Sequence, residues 1–468
     1  MKKRRFGAVF IALVLCLSFS SCKDGKEGGV KEWGIEYESV PLDFSGVQTV
    51  LLDCPQELNS MQDLSDFMDY CVFYGSQEEI QYATLTDEYA AVVREDPFYQ
   101  YRWAGQYGNL SHNFAIGYAD GRLDENMFGI MAGFVPYAFK SYELKEDNVK
   151  VVNYEYYQEV LKEKKNRNYA AEDFALYRNN KGFVSVENSE QLFYAAAKGY
   201  MPVPVEGSSA ESMLSRALGI LNRILEEDMS ETEKVRRIYS YLICENTYDY
   251  ESFLYKDSEH TDYTAYFLEG VFDSKNAVCD GLAKAMTLLC RLEGIEAYHI
   301  GAVSSAGGHA YNYIKVDGSY YLCCPTNGSS VSSWEGKRFH YHTYSYFLTD
   351  FYTSSPSWDF ASGQLPEIGE QVKQTEKYDY WDNAFVEADG KKYDLSPETT
   401  EEAVAILETV GETAEESGLI MQIELNCSYD IAAEAFEEIE EEYDVMKLNN
   451  GSFGGEKLYA FVFGGGAA

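Results

Sequence analysis

The chain has 468 residues, with 77 Asp and Glu against 38 Lys and Arg, and a formal net charge of −39. A surface this acidic repels nucleic acid and anionic lipid headgroups, which excludes polyanion partners. Hydrophobic residues make up 46% of the chain, enough for packed cores, and the length predicts about three domains.

The first residues read as an address. Lys2-Lys3-Arg4-Arg5 precede an apolar run from Phe6 to Phe19 that is too short for an ordinary membrane span. The run ends in Phe19-Ser20-Ser21-Cys22, which resembles the lipobox of bacterial lipoproteins. That resemblance implies a signal peptide over 1–21, lipidation of Cys22, and an extracytoplasmic protein anchored to the bacterial cell membrane by its lipid. Residues 22–34, opening KDGKEGG after Cys22, would be a flexible tether. Cleavage removes four basic residues and no acidic one, taking the charge from −39 to −43.

Residues 35–206 read as an N-terminal α+β region. Helices are predicted at 59–74 and 188–198, each opening on Asn-Ser, the second closed by Gly199. The shared start hints at an internal duplication. VQTVLL and GFVPYAFKSYEL read as strands between them. No catalytic constellation occurs here, and His112 stands alone.

Residues 207–371 open with two amphipathic helices. Leu214, Leu218, Leu221 and Leu225 line the first; Ser230 and Glu233 make a capping box for the second, with Val235, Ile238 and Leu242 inward. A third helix follows from Cys279, with Leu282, Met286 and Leu289 on one face, Asn276 as its expected N-cap and Gly294 as its C′ residue. Cys279 falls in the first turn, where free backbone N–H groups and the helix dipole are expected to favour the thiolate. Read alone it would be a small buried apolar residue. His309 follows a Gly-Gly pair on a strand, and Asp317-Gly318 is a two-residue hairpin turn. Pairing Val316 with Ser319 sets Tyr311 opposite Cys324 and His309 opposite Thr326, so His309 and Cys324 share a face as diagonal neighbours. His299 reads as a satisfied core residue, and His340 and His342 as structural. Cys323-Cys324 belongs to no C-x-x-C, and no metal or cofactor site is predicted. Cys244 and Cys290 fall on apolar helix faces as buried thiols.

Residues 372–468 read as a small α+β domain. It has a hairpin at Asp389-Gly390, a helix capped at Ser396-Pro397 and ended by Gly418, a strand in LIMQIEL, an acidic helix at 429–442 and two more strands. The expected arrangement is ferredoxin-like, with Glu437 to Glu442 on a solvated helix face.

Three ordered motifs carry a resemblance. Cys279-Asp280-Gly281-Leu282-Ala283, Gly308-His309-Ala310-Tyr311-Asn312 and Tyr320-Tyr321-Leu322-Cys323-Cys324-Pro325-Thr326 resemble the thiol, histidine and acid motifs of the bacterial transglutaminase-like superfamily, within the papain-like thiol enzymes. Asn246-Thr247-Tyr248-Asp249 and Tyr346-Phe347-Leu348-Thr349-Asp350 resemble its flanking motifs. The resemblance implies an α+β protein whose central transglutaminase-like (papain-like) domain lies between the N- and C-terminal α+β parts, with the N-terminal part a companion domain for substrate or wall attachment. It implies Cys279 as nucleophile and His309 as base. The orienting acid is replaced by Cys324, Asn327 stands where Trp is usual, and Leu282 replaces an aromatic. Two functions stay open: thiol-dependent acyl transfer on a protein or peptide amide, cell-wall peptide included, or an inactive module that binds such a chain.

Overall fold

The computed structural model describes residues 33–464 except 76–78, 80, 96–115, 123–125, 133–147, 163–166, 251, 253–262, 305–306, 335–336, 351–358, 361–365 and 454–455. The expected signal peptide, most of the tether with Cys22, the strand in GFVPYAFKSYEL and His112 lie outside these residues. No helix among the described residues is long and apolar enough to cross a membrane.

Three helices frame the centre: α1 (Ser209–Ile224), α2 (Glu231–Glu245) and α3 (Cys279–Leu292). Ser208 accepts the Glu211 N–H to cap α1, and the Ser230–Glu233 capping box starts α2 as expected. Val235, Ile238 and Leu242 are buried, as are the thiols of Cys244 and Cys290.

The cap of α3 differs from expectation. Asn276 lies in a short strand, Asn276–Ala277, parallel to Thr247–Tyr248, and its Oδ1 accepts from Thr247 Oγ1 at 3.0 Å. Val278 holds the N-cap position and supplies no side-chain acceptor. The first-turn N–H groups of α3 are therefore left for other partners. Gly281 is required where it stands: a Cβ there would meet Ala265 O at 2.5 Å. Gly294 closes the helix with φ +79.

Against α3 lies an antiparallel sheet of β1 (Ala297–Ser304), β2 (Gly307–Val316) and β3 (Ser319–Cys323), in the order β3-β2-β1, with Asp359–Phe360 on the far edge. Val316 pairs with Ser319 across Asp317 (φ 50) and Gly318 (φ 85), the predicted two-residue turn. The ladder stops at Asn312 and Cys323, because Pro325 turns the chain into a short helix, Pro325–Gly328. Thr326 is in that helix, so the expected pairing of His309 with Thr326 does not occur. The stretch after β3 is strapped down by the Tyr346–Asp350 motif: Leu322 and Thr349 exchange backbone bonds of 3.0 and 2.8 Å, and Cys324 N–H donates to Tyr346 O at 3.0 Å.

The helices at Met61–Tyr74 and Ser189–Lys198 form where predicted, capped by Ser60 and Asn188, the second ending at Gly199 in the left-handed region. VQTVLL is not a strand. Its Val50 N–H reaches Phe183 O at 2.7 Å, and Leu51 is 84% exposed. At the C-terminus the hairpin turns at Asp389-Gly390. The next helix, α4 (Thr400–Ser417), is capped by Thr399 rather than Ser396-Pro397, since only Thr399 accepts an N–H there, from Glu402. Strand β4 (Met421–Asn426), helix α5 (Tyr429–Ile439), β5 (Val445–Phe453) and β6 (Glu456–Phe463) complete it. The arrangement is not ferredoxin-like. The sheet runs β5-β6-β4 and then takes Val152–Asn153 as a parallel fourth strand, while the 385–394 hairpin pairs only with itself. Just before Val152, Asn148–Lys150 runs parallel to Lys337–His342. One stretch of the N-terminal region thus supplies strands to two other parts of the chain.

Candidate active site

Cys279 is the first residue of α3 and is 7% exposed. Its sulfur packs with Ala283, Ala310 and Tyr248. It receives the backbone N–H groups of Ala310 and Asp280 and the hydroxyl of Tyr248, all of which favour thiolate. Burial outweighs them, the charge of Asp280 adds to it, and the thiol is pushed up to about 11. The expected lowering is therefore overturned. The helix start does direct N–H groups at the sulfur, but desolvation of a thiolate and an adjacent carboxylate prevail.

His309 lies on β2, directly before the Ala310 that touches Cys279. Its Nε2 is 3.1 Å from Cys324 Sγ, which confirms the shared face read from the hairpin. The ring lies over Tyr311 with centroids 6.1 Å apart and planes at 27°. Burial lowers its pKa to about 4, with His299 contributing. Cys324 is buried, and its thiol is pushed up to about 12 by burial, against the backbone N–H groups of Asn327 and Thr326. The site thus holds neutral thiols and a neutral imidazole. A thiol can donate to Nε2 or accept from it, so Cys324 places the imidazole without dictating its tautomer, whereas a carboxylate accepts only. Asn327 meets the site through its backbone N–H to the Cys324 sulfur.

Around this site the motif residues have specific tasks. Asn312 is fully buried and donates to Ala283 O and Thr287 Oγ1, both at 2.9 Å, tying β2 to α3. Asp249 caps the turn to Ser252, accepting its N–H at 2.9 Å and its hydroxyl at 2.6 Å. His299 is a core residue as expected, with Nε2 at 2.9 Å from Asp280 Oδ1. Asp280 Oδ2 is 2.8 Å from Lys284 Nζ, which also meets Glu190 Oε1 at 2.9 Å. His342 is built into the structure through its backbone N–H, which donates to the Gln422 side chain at 2.8 Å; the His340 ring lies 3.3 Å from Ser329 Oγ. No cluster of three or more His, Cys, Asp or Glu among the described residues is arranged to hold a metal ion.

Sequence reading missed Tyr248, Asp280 and Lys284. Tyr248 belongs to the Asn246–Asp249 flanking motif, and its spacing from Cys279 says nothing of contact until the Thr247–Tyr248 strand pairs beside α3. Lys284 lies one turn after Asp280 in an apolar stretch, a spacing that favours an ion pair.

Residues 219–325 match the family model described as transglutaminase-like superfamily. The chain is 23% identical over 186 residues to kyphoscoliosis peptidase of Mus musculus, covering 36% of this chain and 27% of that protein. It is also similar to a crystal structure of a TGase, at 14% identity and a TM-score of 0.21, covering 41% of this chain and 51% of the other. A Cytophaga hutchinsonii structure described as a cysteine protease aligns at 18% identity and a TM-score of 0.16, covering 20% and 30%. The chain thus spans about half or less of each of these relatives. The matched segment contains Cys279, His309 and Cys324, and residues 219–325 are a transglutaminase-like superfamily domain.

Proposed function

We propose that this domain carries out thiol-dependent acyl transfer on a protein or peptide amide bond. The observation that carries the reading is the Cys279 sulfur at the head of α3, bonded to the backbone beside His309 and to the Tyr248 hydroxyl. With thiol and imidazole both neutral, His309 acts as a general base. It takes the Cys279 proton as the sulfur attacks the carbonyl carbon, and the carbonyl oxygen becomes an oxyanion. Tyr248 and the first-turn N–H groups are the donors available to it. The imidazolium then gives its proton to the departing amine, leaving a thioester on Cys279. Water as acceptor completes hydrolysis, and an amine completes transamidation. The peptidase name of the mouse relative supports a peptide substrate. Membrane anchoring through Cys22, which would present the site to cell-wall peptide, belongs to the same reading. Fatty-acid labelling should mark the wild type and not Cys22→Ala, and equal labelling would remove the anchor.

A second reading, a peptide-binding module without turnover, is favoured by the thiol at position 324. Limiting iodoacetamide followed by peptide mass spectrometry separates the two. Cys54, partly exposed, should react as an ordinary accessible thiol. Cys279 should come next, ahead of Cys71, Cys290, Cys324 and Cys427, at a rate that keeps rising with pH toward about 11. His309→Ala should slow it. A Cys279 no faster than Cys427 would favour the binding module.

A further inference from the structure

A cluster of buried charge lies directly behind the candidate nucleophile. Asp280 follows Cys279 in the first turn of α3, and both of its carboxylate oxygens are engaged. Oδ1 meets His299 Nε2 of β1 at 2.9 Å, and Oδ2 meets Lys284 Nζ at 2.8 Å. Lys284 is held further by Glu190 Oε1 at 2.9 Å, from the Ser189–Lys198 helix, and by Tyr266 O at 3.2 Å. Asp280, Lys284, Glu190 and His299 are all at most 4% exposed.

An arrangement like this is expensive as scaffold. Buried ion pairs are often no more stabilising than apolar residues of the same size, because desolvation offsets their attraction. Here the neighbouring α3 positions Leu282, Ala285 and Met286 are all apolar and buried, so an apolar solution was available to the same helix. Instead a carboxylate is fixed one residue from the sulfur, and its position is set by three elements: α3 itself, β1 and the Ser189–Lys198 helix.

We propose that Asp280 and His299, with Lys284 behind them, form a positioning pair that fixes the first turn of α3 and sets the charge felt by the Cys279 sulfur. The role rests on Cys279 being the reactive thiol. Four groups face Cys279 and Asp280 besides Lys284: Tyr248 and Cys324 on the sulfur side, with His309 reaching the sulfur of Cys324, and His299 and Glu190 on the carboxylate side. The carboxylate opposes thiolate formation, in line with its place among the causes that raise this thiol. It thereby holds the sulfur protonated until a base removes the proton, and a neutral thiol is unreactive toward oxidants and stray electrophiles, which attack thiolates.

The test is the pH profile of Cys279 alkylation by iodoacetamide, read by peptide mass spectrometry on the full chain. Asp280→Asn keeps the shape and an acceptor for His299, and Lys284 keeps Glu190 and Tyr266 O. Removing the negative charge should move the half-maximal pH down by about one unit, so that the rate at pH 8 rises about tenfold. Lys284→Gln removes a positive charge and should move the profile the other way. His299→Gln retains a donor for Asp280 and should leave it in place. A purely structural network would lower the thermal midpoint of Asp280→Asn and leave its alkylation profile unchanged, and that result overturns the proposal. Cys279 unreactive in folded wild type and variants, yet modified once unfolded, overturns the nucleophile reading and this role with it. A second measurement needs no variant: in ¹⁵N-labelled protein the His299 Nε2–H should give a cross-peak protected from solvent exchange. Rapid exchange there means the pair with Asp280 is not held, which also overturns the proposal.

Discussion

Two imidazoles rise from one antiparallel pair of strands and differ in what they touch. His309 lies opposite Ala302 and His299 opposite Asn312, so side-chain alternation sends them to opposite faces of the sheet. His299 has a carboxylate, Asp280, at 2.9 Å; His309 has a thiol, Cys324, at 3.1 Å. The carboxylate–imidazole pair expected of a thiol-enzyme site is present, but on the face where it braces the nucleophile's helix. At the reactive face the same position is filled by a group that holds the ring in place without choosing which nitrogen carries the proton. Placement and protonation control have been separated onto the two faces.

The largest effect should come from breaking the bracing side. Lys284→Met leaves Asp280 and Glu190 buried without their shared cation. Loss of one partner from such a network costs about 3–5 kcal/mol. Urea unfolding of the variant should show that loss, and a change below about 1 kcal/mol would mean water or a rearranged donor replaces the lysine.

Restoring the acid on the reactive side is the sharper but smaller change. In Cys324→Asp a carboxylate takes the place of the thiol at His309 Nε2. It should raise the His309 pKa from about 4 and hold the imidazole with its proton on Nε2. Any acyl-transfer rate on peptide or glutamine substrates should then rise tenfold or more, about 1.4 kcal/mol of barrier. The sign on stability follows from linkage. The wild-type imidazole titrates below its ordinary 6.5, so between 6.5 and about 4 the unfolded chain binds the extra proton and acid weakens the fold. Thermal melts at pH 5 and 7 should show a smaller acid loss in Cys324→Asp than in wild type. An equal loss, with no gain in rate, would mean the new carboxylate does not engage His309.

The parts of the site that were legible from sequence are those governed by local rules. The hairpin register followed from Asp317-Gly318, because only residues tolerant of positive φ turn a two-residue loop, and period-two alternation then put His309 and Cys324 on one face. The capping box at Ser230 and the left-handed closures at Gly199, Gly294 and Gly418 were likewise set by near neighbours. Expectations failed where a long-range partner competed. Asn276 looked like a helix cap, but strand pairing with Thr247 claimed it. VQTVLL had strand-forming residues without a ladder to join.

What the sequence determined alone is the order of the chemistry: a thiol at a helix start, an imidazole on a strand, and a thiol where an acid is usual, spaced so that one hairpin brings the last two together. Only the tertiary structure decided the protonation states and the supporting cast. Whether Cys279 is thiol or thiolate depends on how much water its surroundings exclude and on which charges lie behind it. Those surroundings come from Tyr248, Glu190 and His299, residues 31 or more positions upstream or on a different strand. Desolvation and Coulomb energies depend on distances in space, and no spacing along the chain encodes them.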